Sequence, residues 1–93
     1  MISLHSKVVA REGVLFRDLD GEAVLLSQAT GRYYSLDEVG SRMWALLVEH
    51  GEVGRVCQAL ADEYDADQEQ LLGDLTGFVG ELVSRGLLRV HGE

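Results

Sequence analysis

The chain has no proline, one cysteine, one tryptophan, and eight basic side chains against sixteen acidic ones. Each shortage excludes something. Without proline there is no polyproline segment, and no linker, low-complexity stretch or internal repeat interrupts the 93 residues. Cys57 alone cannot close an internal disulfide, and a lone thiol suits a reducing compartment. No run approaches the roughly 18 apolar residues that span a membrane. The opening residues lack the apolar stretch of a signal peptide, so the expected location is the cytoplasm. A net charge of −8 argues against nucleic acid, whose phosphates need a basic face. What remains is 46% hydrophobic and 26% charged, ordinary for one folded domain, expected over residues 1–93.

The acid is unevenly placed. Residues 1–46 carry five bases and six acids, net −1, whereas residues 47–93 carry three bases and ten acids, net −7. Two readings fit: a solvated surface with acids near a helix N-terminus, where the dipole favours them, or a surface that attracts a basic peptide.

The first third reads as strands over 13–17, 22–28 and 32–36. The turn signal Asp20-Gly21 joins the first two and Ala29-Thr30-Gly31 the last two, making an antiparallel meander with open outer edges. The rest reads as helices. Asp37 caps the first, which runs to His50 and stops at Gly51, with Val39, Met43, Leu46 and Leu47 on one face, widened by Trp44 and Val48. The second covers 52–64, with Val53, Val56, Cys57, Leu60 and Tyr64 in a stripe. The third covers 67–85, with Gly86 ending it, and Leu87-Leu88-Arg89-Val90 folds back as a short apolar tail. At 100° per residue the third helix has an apolar arc about 140° wide, from Phe78 through Leu71, Leu82, Leu75 and Val79 to Leu72 and Val83. One core needs little more than about 100°, so a flank is left over to line a groove. Gly73, Gly77 and Gly80 lie opposite, where each costs roughly 1 kcal/mol relative to alanine. A close neighbour or simple drift would both account for them. The expected fold is α+β and winged helix-turn-helix-like, a three-stranded antiparallel meander followed by three helices.

Catalytic chemistry is not visible. His5, His50 and His91 are scattered and pair with no cysteine, which leaves a zinc site unsupported. Asp65, Asp67 and Glu69 open like a calcium loop, but Gln70 and Thr76 stand where glycine and glutamate are required. No nucleophile elbow or phosphate-binding loop is present, and Cys57 sits on an apolar stripe as an inert core thiol. The expectation is no enzyme, no cofactor and no metal. A winged-helix shape admits DNA binding, but both later helices are acidic. An adaptor that binds a folded protein through that acidic face remains an alternative.

Residues 21–26 (Gly-Glu-Ala-Val-Leu-Leu) and 30–40 (Thr-Gly-Arg-Tyr-Tyr-Ser-Leu-Asp-Glu-Val-Gly) resemble the signature of PqqD-like proteins. So do 60–67 (Leu-Ala-Asp-Glu-Tyr-Asp-Ala-Asp) and 81–88 (Glu-Leu-Val-Ser-Arg-Gly-Leu-Leu). The likeness extends over about residues 12–89, and it departs at Asp37, where the family often has asparagine, and in the glycines of the third helix. The resemblance implies a RiPP recognition element: a non-catalytic domain that binds the leader segment of a ribosomally made precursor peptide. It implies that the leader adds as an antiparallel strand to the third strand, beside the third helix. The pattern is most similar to the stand-alone leader-binding protein of lasso peptide biosynthesis, partnered by a leader peptidase and a cyclase. A chaperone for a radical SAM enzyme of pyrroloquinoline quinone synthesis is the other branch. The expected state is a monomer, with no nucleic acid or membrane partner. Candidate leader-binding residues are Arg32, Tyr33, Tyr34, Ser35 and Leu36 on the third strand. From the third helix come Leu71, Leu75 and Phe78 as an apolar floor and Asp67 and Asp74 as an acidic rim suited to a Lys or Arg of the leader.

Overall fold

The computed structural model describes residues 2–19 and 22–91. Five strands and three helices follow in the order β1 (Lys7–Ala10), β2 (Val14–Leu19), β3 (Glu22–Ser27), β4 (Tyr33–Leu36), α1 (Glu38–His50), α2 (Val53–Tyr64), α3 (Gln68–Ser84) and β5 (Leu88–His91). β2, β3 and β4 form the expected antiparallel meander in that order. The turn expected at Asp20-Gly21 lies outside the described residues.

The second sheet is a finding that local signals did not reveal. β1 pairs antiparallel with β5, Val8 opposite Val90 and Ala10 opposite Leu88. The tail at residues 87–90 does fold back, and it does so as a strand closing on the chain's beginning. Gly86 makes this possible. It sits at φ 76° just past α3, a conformation costly for any residue with a Cβ. There the Gly86 N–H donates to the Val83 carbonyl and the Leu87 N–H to the Leu82 carbonyl, a Schellman closure. The reversal buries Leu87 and Leu88 in the core.

The N-terminal segment also completes α2. Glu52 occupies its N-cap without a side-chain cap bond, and the first orphan N–H groups are met from outside the helix. Val53 N–H donates to the Ser6 carbonyl (3.0 Å) and Gly54 N–H to the Leu4 carbonyl (2.9 Å). A Cβ on Gly54 would stand 2.9 Å from that same Leu4 oxygen. Gly54→Ala is therefore expected to lose about 1–3 kcal/mol, with residues 4–6 prised from α2. Thermal unfolding and amide exchange at Val53 and Gly54 check this.

α1 and α3 begin as their caps dictate. Asp37 accepts from the Gly40 N–H at 2.6 Å, and Asp67 accepts from the Glu69 N–H. On α1, Met43, Trp44, Leu46 and Leu47 are buried as expected, but Val39 and Val48 are exposed. On α2 the stripe buries Val53, Val56, Cys57 and Leu60, while Tyr64, the last helical residue, runs out past the core and is exposed. Burial pushes the Cys57 thiol up from its ordinary value, the direction of an unreactive core cysteine. Nothing stands within 4 Å of a Cβ built on Gly73, Gly77 or Gly80, so no close neighbour explains the three glycines.

Arg42 of α1 grips Glu63 of α2 through two guanidinium nitrogens, Nε at 2.9 Å and Nη2 at 2.6 Å. These hydrogen bonds hold the exposed Glu63 carboxyl below its ordinary range. A carboxylate whose pKa is depressed by folding adds stability above its unfolded pKa and loses it as pH falls through the folded one. In an NMR titration the Glu63 side chain should ionise at lower pH than a free glutamate, and Arg42→Ala should move that midpoint up.

Candidate functional site

The ladder between β3 and β4 determines which backbone groups of β4 are free. Ser27 N–H donates to the Arg32 carbonyl at 2.9 Å, so the pair 27/32 is hydrogen-bonded. Antiparallel pairs alternate. The next hydrogen-bonded pairs are therefore Leu25/Tyr34 and Ala23/Leu36, and the non-bonded ones are Leu26/Tyr33 and Val24/Ser35. The N–H and C=O groups of Tyr33 and Ser35 consequently point away from β3. β4 is the last strand of its sheet, and no other strand among the described residues takes them up.

Side chains alternate with the same period. Tyr33 (70% exposed) and Ser35 face solvent, Leu36 is buried and Tyr34 is half-buried. Tyr34 turns toward the helical layer, where the Arg85 guanidinium lies 4.9 Å from its ring centroid, a cation–π contact. Arg85 is further held by Glu81 through Nε at 3.0 Å.

A groove runs between β4 and α3, and Tyr34 divides it. One half, about 550 Å³, is lined by Ser27, Thr30, Arg32, Tyr33, Tyr34, Ser84, Arg85 and Leu87. The other, about 460 Å³, is lined by Tyr34, Ser35, Leu36, Asp37, Val39, Gly40, Met43, Asp74 and Phe78. The four candidates on β4 and Arg32 just before it thus all line the groove, joined by Asp74 and Phe78. Three others do not line it. Leu71 and Leu75 are core residues, 9% and 0% exposed; Leu75 lies near the middle of the apolar arc of α3, and Leu71 lies beside Phe78 but is turned into the core. Phe78 and Asp74 are on one flank of that arc, and this flank faces β4. The opposite flank, at Leu72, faces the N-terminal segment. Asp67 is occupied as the cap of α3.

Sequence reasoning missed Arg85 and Val39. The signal for Arg85 was available: counted from Leu71 at 100° per residue, it falls at about 320°, between Asp74 and Phe78. Val39 falls on the apolar stripe of α1 by periodicity, yet it is exposed and lines the groove with Asp74 and Phe78 of α3.

The groove offers backbone and side-chain hydrogen-bonding groups and apolar contact. Among the described residues no group of three His, Cys, Asp or Glu side chains is placed to hold a metal ion, and no helix is long and apolar enough to cross a membrane.

Fold and site together define an α+β domain of the winged helix-turn-helix type with an open strand edge beside a groove. The chain belongs to the PqqD family: the family model described as "Coenzyme PQQ synthesis protein D (PqqD)" matches residues 22–88. This bears out the resemblance to PqqD-like RiPP recognition elements. Among solved structures, "TbiB1 in Complex with the TbiA(beta) Leader Peptide" is similar at 34% identity and a TM-score of 0.82, covering 90% of this chain and 98% of that one. "Lasso peptide synthetase B1 complexed with the leader peptide" is similar in fold at 22% identity and a TM-score of 0.81, covering 89% and 98%. A comparison with curated proteins finds no match.

Proposed function

We propose that this protein binds the leader segment of a ribosomally made precursor peptide as an antiparallel strand on β4, in the groove beside α3. The observation that carries the reading is the unpaired edge at Tyr33 and Ser35 lying along a groove, in a chain 34% identical to a protein solved with a leader peptide. Strand addition draws affinity from the backbone and specificity from alternate side chains. Binding near 1 μM needs about −8 kcal/mol, which a few strand hydrogen bonds and one or two apolar anchors near Phe78 and Val39 can supply. The domain performs no chemistry and acts as a monomer in the cytoplasm, delivering the leader to the leader peptidase and cyclase of a lasso peptide pathway.

The test is titration of the isotope-labelled protein with the leader of the precursor encoded beside its gene. Amide shifts should concentrate at residues 32–36 and along the Asp74–Phe78 flank of α3, and shifts elsewhere would remove the binding mode. The family's description favours one second reading, a chaperone for a radical enzyme of quinone cofactor synthesis. The genes beside the precursor separate the two: a transglutaminase-like peptidase with an asparagine-synthetase-like cyclase, or a radical SAM enzyme.

A further inference from the structure

The two halves of the groove carry opposite charge. Arg32 and Arg85 line one, Asp37 and Asp74 the other. Within each pair one member is already engaged: Arg85 by Glu81, and Asp37 by the Gly40 N–H it caps. Arg32 and Asp74 have no side-chain hydrogen bond or ion pair among the described residues, and both are exposed. They stand at opposite ends of the groove with Tyr34 between them.

Resting on the strand-addition reading above, we propose that Arg32 and Asp74 make the groove a reader of charge order. A guest antiparallel to β4 enters with its amino side at Leu36 and leaves with its carboxyl side at Arg32. Guest residues opposite Leu36, Tyr34 and Arg32 share the groove-facing side, at positions i, i+2 and i+4, spanning roughly 13 Å. The first falls beside Asp74 and takes Lys or Arg. The second lies against Tyr34 and takes an apolar side chain. The third falls beside Arg32 and takes Asp or Glu. Reversing the charges places like against like at both ends, and cross-strand like charges repel. The selected guest is therefore a strand of basic-x-apolar-x-acidic pattern, rather than a uniformly basic peptide.

The experiment uses two synthetic peptides of identical composition, one centred on Lys-Thr-Leu-Thr-Glu and one on Glu-Thr-Leu-Thr-Lys, titrated into the full-length labelled protein. The first should bind about fivefold or more tightly at low salt, with the advantage shrinking at high salt as screening grows. Arg32→Glu combined with Asp74→Lys should invert the preference. Asp74→Asn alone, nearly unchanged in size, should roughly halve the advantage. Equal affinity for both peptides, with shifts at Tyr33 and Ser35, overturns the charge-order inference and leaves strand addition standing. Preference for the second peptide, or no shift on β4 with either, also overturns it. The natural-leader titration judges strand addition independently.

Discussion

Ser35→Pro is expected to weaken leader binding by about 10- to 100-fold while leaving the fold in place. The Ser35 N–H points to the open edge of β4, so a proline there removes no bond of the β3–β4 ladder. Proline is tolerated on edge strands for this reason. Its cost falls on the guest. One strand hydrogen bond disappears, the guest carbonyl opposite is left dry and unpaired at about 1–3 kcal/mol, and the ring obstructs close approach. β2 provides the control. Gln28 N–H donates to the Gly13 carbonyl, so by the same alternation the Asp18 N–H points to the other outer edge of the sheet. Asp18→Pro should leave binding within about twofold. Calorimetric titration of the two variants against wild type distinguishes the edges, and equal losses from both would remove β4 as the docking strand.

Leu75→Ala is expected to cost about 2–5 kcal/mol of stability, out of a total of roughly 5–15 for a domain. Leu75 is fully buried and lies in the single core that the helices and β3 share. At about 4–8 °C per kcal/mol for a domain of this size, Tm should fall by at least ~8 °C. Affinity of the molecules that remain folded should stay within about twofold, because the side chain does not reach the groove. Phe78→Ala should show the opposite emphasis. Phe78 is only partly buried and lines the groove beside Asp74, so leader affinity should suffer more than Tm. Thermal denaturation and calorimetric titration of the two variants together test whether the centre and the flank of the α3 arc are separate in function. A larger loss of affinity for Leu75→Ala than for Phe78→Ala would contradict that division.

Much of the fold is local in origin, and local features are legible in a sequence. Asp37 and Asp67 offer oxygens to N–H groups two or three residues on, so helix starts follow from neighbours in the chain. Gly51 and Gly86 end helices for equally local reasons. The alternation in residues 33–36 depends on a two-residue period, which places Tyr34 on the same face as the buried Leu36. The β1–β5 pairing has no such signature. Four-residue strands are weak signals, and their partners are separated by most of the chain. The carbonyls of Leu4 and Ser6 that complete α2 were likewise unrecognisable as caps, because backbone oxygens carry no residue identity.

The order of meander and helices, the caps, the acidic balance and the family pattern are legible along the chain, because each rests on residue type and short spacing. Which flank of α3 meets β4 is set by long-range packing. An apolar arc of about 140° has two flanks, and periodicity treats them alike. The choice is made by the packing of α3 on α2 and β5, which sends Phe78 and Asp74 to the sheet edge and Leu72 to the N-terminal segment. That same packing sinks Leu71 and Leu75 into the core and brings Arg85 over Tyr34. The −8 of the whole chain therefore says little about the groove, where two arginines line one half and two aspartates the other.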